Sequence, residues 1–304
     1  MSEVTEWDPS HLFQALTPDP SPYAIILLNA PISDAQTSTF LDLWSRAKLR
    51  LCADGGANRL LEAFPPSENV ISGYTYTYDE VNKGKENHVY IPPPHEIRGD
   101  LDSIRPRTRE FFEKRGVSVI ERRSQYATDL QKCAKAVEIF EAESFPSASH
   151  TELELVIYGG LSGRFDQTVH TLHVLWTLGA PLPHPSAESA WEKDRDEDAK
   201  LKRRKKTWVV GEQCLVWVLP PGRHRIQART PPLGPTCGIL PLASSEGAKV
   251  TTRGLRWDID ASMPTSLPDF VSTSNQIPFD DSGRATIDLE TDKTIYWSIE
   301  LQES

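Results

Sequence analysis

The 304-residue sequence is short of several things, and each shortage closes off a class of function. Its four cysteines, Cys52, Cys133, Cys214 and Cys237, form no CxxC pair and no zinc-finger spacing, so neither a disulfide scaffold nor a structural zinc site is expected. Reduced thiols in a cytoplasmic protein fit better. Long apolar runs are missing: the longest, Ala24 to Ala30, is far too short to span a bilayer. The opening residues MSEVTEWDPS are acidic and polar, unlike a secretory signal. Positive charge is scarce, with 33 Lys and Arg against 43 Asp and Glu. The resulting net charge of −10 excludes a general nucleic-acid binder and disfavours an anionic membrane as partner. There is no Walker A loop, no GxGxxG fingerprint, no heptad, no internal repeat and no Ser-His-acid order. The eight histidines are scattered, and His170 and His173 read as helix packing residues.

What is present is an ordinary globular mix, 38% hydrophobic and 25% charged, in a chain long enough for two modest domains. Residues 23–29 read as a strand buried inside a parallel sheet, Leu49 to Ala53 as a second, Val117 to Ile120 and Leu153 to Tyr158 as two more. Between them lie a short helix around Leu60, a helix over 103–116 that Ser103 can cap, a helix opened by the capping box Thr128–Gln131, and a helix lined by Phe165, Val169, Leu172 and Trp176. Residues 67–90 read as a polar surface loop. Strand and helix alternate up to about residue 180, which predicts an N-terminal, mostly parallel-sheet α/β domain over 1–180. Residues 181–206 are Pro-rich, then densely charged, ending in the basic run at 200–206. A disordered, solvated insertion is the expectation, with a nuclear-localisation or polyanion-binding role as the alternative. From 207 to 304 short strands separated by Gly and Pro predict an all-β sandwich.

Four motifs fall where strands meet helices, on the edge where open α/β sheets bind ligands. In Gly99-Asp100-Leu101-Asp102-Ser103, alternate residues of an extended segment face one side, so Asp100 and Asp102 can share a hard cation such as Mg²⁺. A turn with two ordinary surface aspartates is the competing reading. In Cys52–Asn58 the glycines permit close backbone approach, and Asp54 or Asn58 can meet a ribose or phosphate; a tight βα turn explains the same residues. Gly159–Gln167 is a glycine-rich turn to which Arg164 adds a phosphate-compatible cation. In Gln125–Asp129, Asp129 can be a further Mg²⁺ ligand or a base, and Lys132 can meet phosphate; a capped helix with an exposed lysine is the alternative. Together the four predict an ATP-dependent transferase.

The segments CADGGANRL (52–60), RGDLDSIRP (98–106), QYATDLQKC (125–133) and GGLSGRFDQ (159–167) resemble those of eukaryotic thiamine pyrophosphokinases, and CGILP (237–241), VTTRGLRWDI (250–259) and VSTSNQI (271–277) continue the resemblance in order. It covers the chain except 1–20, 67–90 and 181–206. The resemblance implies transfer of pyrophosphate from ATP to the hydroxyl of thiamine, giving thiamine diphosphate and AMP. It implies Mg²⁺ on Asp100, Asp102 and Asp129, and ATP near Asp54, Gly55, Asn58, Gln125, Thr128, Lys132, Gly160, Arg164 and Asp166. It also implies thiamine near Ser272, Thr273, Ser274 and Asn275, and a homodimer with its sites at the subunit interface. Thr236 departs from the family pattern, which often has an aromatic there; either Trp257 or Trp297 stacks on thiamine instead, or thiamine is held differently. A γ-phosphoryl kinase for another small molecule, or a non-catalytic thiamine or nucleotide binder, are the rival functions.

Overall fold

The computed structural model describes residues 3–13, 21–70, 73–79, 86–145, 152–180, 197–244, 246–262 and 264–302. The chain divides into two units, one of Pro22–Thr171 with Glu188–Lys202, the other of Met1–Ser21, Leu172–Ala187 and Arg203–Ser304. The first strand, β1 (Val4–Trp7), therefore belongs with the C-terminal part, whereas the sequence suggested a single α/β domain from residue 1.

The α/β unit runs β2 (Tyr23–Leu27), α1 (Thr37–Arg46), β3 (Leu49–Ala53), α2 (Gly56–Ala63), β4 (Glu68–Val70), β5 (Gly73–Asp79), β6 (Glu86–Ile91), β7 (Glu96–Gly99), α3 (Pro106–Glu113), β8 (Ser118–Glu121), α4 (Asp129–Ser144) and β9 (Glu154–Tyr158), and α5 (Phe165–Gly179) starts within it. Its sheet has the order β9-β2-β3-β7-β8, and every neighbouring pair is parallel. All five residues of β2 and of β9 are buried, as strands covered on both faces must be. Parallel pairing sends every carboxyl end to one edge, and the acidic and glycine-rich motifs gather there.

Several expectations are corrected locally. Residues 67–90 are not a plain loop: β4, β5 and β6 form an antiparallel meander. Its alternating Tyr and Thr residues put Tyr74 in the core, with its ring 5.4 Å from that of Phe111, while Tyr76 meets Phe64 at 5.5 Å. Helix α3 begins at Pro106, its N-cap is Arg105 without a side-chain cap, and Ser103 is held in the preceding turn instead. Gly116, at φ +75°, lies just beyond its end, as expected. Helix α1, which buries Phe40, Leu43 and Trp44, was not anticipated. The capping box at Thr128 and Gln131 is present as predicted.

Of the charged stretch 181–206, residues 181–196 lie outside the described residues. The part from 197 is ordered rather than solvated throughout. Asp198 is 2% exposed and accepts a bidentate pair from Arg122 at 2.8 and 2.9 Å, and the Lys202 amide donates to Glu138 at 2.6 Å. Arg204, within the basic run, is buried.

The second unit adds β10 (Thr207–Val210), β11 (Cys214–Leu219), β12 (Gly222–Arg229), β13 (Leu233–Leu240), β14 (Val250–Arg253), β15 (Ser272–Gln276), β16 (Arg284–Thr291) and β17 (Ile295–Leu301). Strands β15-β13-β17-β11-β10 pair antiparallel in that order, and β1-β12-β16-β14 form another sheet in which only β1 is parallel to its neighbour. Trp7 from one sheet meets Trp208 and Trp217 from the other at 5.8 and 6.2 Å, and Trp297 continues the cluster at 6.2 Å from Trp217. Strand β13 was hidden in the sequence by Gly234, Pro235 and Gly238. Its register shifts between Leu233 and Cys237, where Pro235 costs no ladder bond, and a Cβ on Gly234 would sit 2.5 Å from Glu300 Cδ. No helix among the described residues is long and apolar enough to cross a membrane.

Candidate active site

The turn between β7 and α3 carries Asp100 and Asp102. It is not extended: Leu101 has φ +63°, and the two aspartates are brought together by the bend rather than by strand alternation. Carboxylate oxygens of Asp54, Asp100 and Asp102 all lie within 4.8 Å of one another. That spacing and that all-oxygen donor set suit a hard divalent cation. Asp54, expected beside the nucleotide, thus groups with Asp100 and Asp102, while Asp129, the third Mg²⁺ ligand that the resemblance implies, lies outside this group of three.

Asp129 stands next to this cluster and is engaged otherwise. Its Oδ1 accepts from Lys132 Nζ at 3.0 Å and from the Asp100 amide at 3.2 Å. Lys132 is only 1% exposed, so the alternative of an exposed surface lysine is wrong. A buried ammonium needs a partner, and the i,i+3 spacing on α4 supplies Asp129. Gly99 explains how the groups come so close: a Cβ there would lie 2.7 Å from Asp54 Cβ and 3.0 Å from the Asp129 carboxylate.

Asp54 is 2% exposed and has φ +40°. Burial pushes its carboxyl above the ordinary carboxylate range, and the charges of Asp129 and Asp102 push the same way. The amides of Ser103 and Ile104, both donating to it at 2.9 Å, favour the charged form and oppose the rise. Asn58, also expected near the nucleotide, is 5% exposed and hydrogen-bonds the same turn. A Cβ on Gly55 would strike Asn29 Nδ2 at 2.4 Å, so this glycine is explained by packing of the protein on itself.

The glycine-rich turn after β9 differs. Gly159 and Gly160 have φ +92° and +81°, and a Cβ on Gly160 would meet Thr171 Oγ1 at 2.6 Å. Beyond them Arg164 and Asp166 are 76% and 60% exposed and pair with each other at 2.5 and 3.1 Å. That pair lowers the Asp166 carboxyl from its usual value through its hydrogen bond from Arg164. Gln125 is exposed, and Thr128 Oγ1 lies 2.7 Å from His170 Nε2, which ties the start of α4 to α5. His170 is thus a hydrogen-bonding residue and not merely a packing one.

In the second unit, the 272–275 segment forms β15. Ser272 and Asn275 are buried, whereas Thr273 and Ser274 are exposed. Asn275 Nδ2 donates to the Trp257 carbonyl at 2.8 Å, and its Oδ1 accepts from the Trp257 amide at 3.4 Å. Thr273 lines two cavities: one of about 390 Å³ shared with Trp257, Phe270 and Ser272, another of about 640 Å³ shared with Thr236, Gly238 and Ser274. Trp297 is wholly buried, which removes it as a stacking surface, while Trp257 is 53% exposed with the Arg256 guanidinium 5.0 Å from its ring centre.

Comparison with known families then decides the class. Residues 40–182 match the family model described as "Thiamin pyrophosphokinase, catalytic domain", and 223–295 match "Thiamin pyrophosphokinase, vitamin B1 binding domain". Thiamine pyrophosphokinase 2 of Arabidopsis thaliana is 30% identical over 93% of this chain and 87% of its own length. The chain belongs to the thiamin pyrophosphokinase family. Thiamine pyrophosphokinase 1 of Oryza sativa subsp. japonica is 29% identical, with 92% and 88% covered. Among solved structures, yeast thiamin pyrophosphokinase aligns over 98% of this chain and 92% of that one, with a TM-score of 0.70 at 23% identity. The Candida albicans enzyme aligns over 99% and 95%, with a TM-score of 0.68 at 21% identity. At that identity the structural likeness speaks for the fold, an α/β part followed by a β-rich part. Family membership makes the chain a thiamine pyrophosphokinase, a transferase with ATP as co-substrate and thiamine as acceptor.

Proposed function

We propose that the three-carboxylate cluster of Asp54, Asp100 and Asp102 is the Mg²⁺ grip of a site that moves the pyrophosphoryl group of ATP whole onto thiamine. The observation that carries this reading is the convergence of those oxygens on one point at the sheet edge. Mg²⁺ bound there would draw charge from the phosphate oxygens as it develops. Lys132 and Arg164 supply the remaining positive charge. Lys132 is fixed against Asp129, and Arg164 reaches the phosphates after parting from Asp166. The new bond forms between the thiamine hydroxyl oxygen and the β-phosphorus, and the bond from that phosphorus to the α–β bridging oxygen breaks, releasing AMP. Asp129, outside the three-carboxylate cluster, accepts the hydroxyl proton, because a carboxylate not held to a metal is the better base.

Thiamine is held from the β unit, with Trp257 stacking on it in place of the aromatic that Thr236 lacks, and with Thr273 and Ser274 beside it. Asn275 and Ser272 act behind these residues, on the Trp257 backbone and within β15. The active species is a homodimer with its sites between subunits. Tyr126, just before α4, and Phe165, at the start of α5, are 77% and 81% exposed and are the apolar groups such an interface would cover. The enzyme works in the cytoplasm, consistent with four free thiols, three of them buried. Mixing the protein with Mg²⁺, ATP and thiamine and separating the products tests the reaction: thiamine diphosphate and AMP in equal amounts are expected, and ADP with a monophosphorylated product would refute pyrophosphoryl transfer.

A further inference from the structure

The family resemblance sets Asn58 beside the nucleotide, but its side chain is occupied elsewhere. Asn58 sits in the first turn of α2, 5% exposed. Its Nδ2 donates to the Ser103 carbonyl at 2.9 Å, and its Oδ1 accepts from the Arg105 amide at 3.0 Å. Both ends of the amide are thus used on two backbone groups 45 and 47 residues away, the pairing that a neighbouring strand would otherwise provide. The intervening amides of Ser103 and Ile104 go to Asp54. On the far side of the turn the Asp100 amide goes to Asp129. At the surface Arg105 pairs with Glu62, from the last turn of α2, at 2.6 Å.

We infer that Asn58 is a positioning residue for the acidic turn: it acts on the reaction by fixing the backbone of Ser103 and Arg105, and through it the direction of Asp100 and Asp102, and makes no contact with the nucleotide. This inference rests on the reading of the carboxylate cluster as the metal grip. The chemistry demands an amide. Aspartate at 58 keeps the acceptor for the Arg105 amide but sets a carboxylate oxygen against the Ser103 carbonyl, and leucine of similar size offers neither group. Residues that orient metal-binding side chains commonly cost roughly 10- to 100-fold in metal affinity or activity when changed.

The test compares wild type with Asn58→Asp, Asn58→Leu and the control Asp102→Asn. Backbone amide exchange over 100–106 is read in the metal- and nucleotide-free protein, and kcat, KM for ATP and half-saturating Mg²⁺ are read in turnover. For Asn58→Asp the expected result is exchange of the 103–105 amides faster by about tenfold or more, kcat lower by roughly 10- to 100-fold, half-saturating Mg²⁺ raised, and KM for ATP within about twofold. A rise in KM for ATP with kcat and exchange unchanged would make Asn58 a nucleotide contact and overturn the inference, as would wild-type values throughout. Should Asn58→Leu fail to fold, the Asn58→Asp values decide alone. Full turnover by Asp102→Asn would refute the metal grip instead, while the exchange result would still judge whether Asn58 holds the turn.

Discussion

Two turns follow parallel strands of the same sheet, and they are built in opposite ways. The acidic turn after β7 is fastened along its length: Asp100 to Asp129, Ser103 and Ile104 to Asp54, Ser103 and Arg105 to Asn58. The anchoring side chains are buried or half-buried, so water does not compete for them. The glycine-rich turn after β9 has its left-handed backbone at Gly159 and Gly160, but Arg164 and Asp166 stand in solvent and pair with each other. An ion pair as exposed as Arg164–Asp166 is screened by water and holds its two partners only weakly. The difference separates two kinds of site building. The turn that brings carboxylates together against their mutual repulsion is tied down by the protein's own groups, and the turn that carries Arg164 leaves its charges to the solvent.

Breaking the acidic turn has the largest expected effect. Asp102→Asn removes one charge from the cluster with little change of shape, and kcat at saturating Mg²⁺ should fall by roughly a thousandfold while the thermal midpoint stays close to wild type. Steady-state kinetics beside a melting curve measures both. Breaking the glycine-rich turn costs less. Arg164→Ala should raise KM for ATP about tenfold and change kcat by less than about threefold, because the lost contact serves ground state and transition state alike. Equal losses in kcat from the two variants would erase the distinction between the turns. The smallest effect is expected at the residue that links them. Thr128 caps α4, which carries Asp129 and Lys132, and it meets His170 of α5. Thr128→Ala should lower stability by about 1 kcal/mol and the melting temperature by roughly 2–4 °C, with kcat nearly preserved.

Much of this contrast was legible in the sequence, and the missing part has one cause. The buried strands β2 and β9 announced themselves as short β-branched and apolar runs, and the α4 capping box by Thr128 and Gln131. Asp100 and Asp102 stood out as two acids beside a glycine at a strand end, although a turn with two surface aspartates fits the same residues. Asp54 and Asn58 were picked out as functional residues, but not what they hold, because their partners lie 45 to 50 residues away. The same carboxylate or amide can meet a ligand or a backbone, and only the folded chain decides. The Asp129–Lys132 pair was hidden for that reason too: it depends on the burial of a lysine that reads as a surface residue. Strands β5 and β13 were missed differently, the first because Tyr and Thr look polar in a loop, the second because Gly and Pro at a bulge look like a turn.

The contrast itself is open to one direct measurement, amide hydrogen exchange over 100–106 and 159–168 in the free enzyme and with Mg²⁺ and ATP. The account predicts that the amides of Ser103, Ile104 and Arg105 are already protected in the free enzyme and change little, while those around Arg164 gain protection only with the nucleotide. Unprotected 103–105 amides in the free enzyme, or equal gains in both turns on adding Mg²⁺ and ATP, would contradict it.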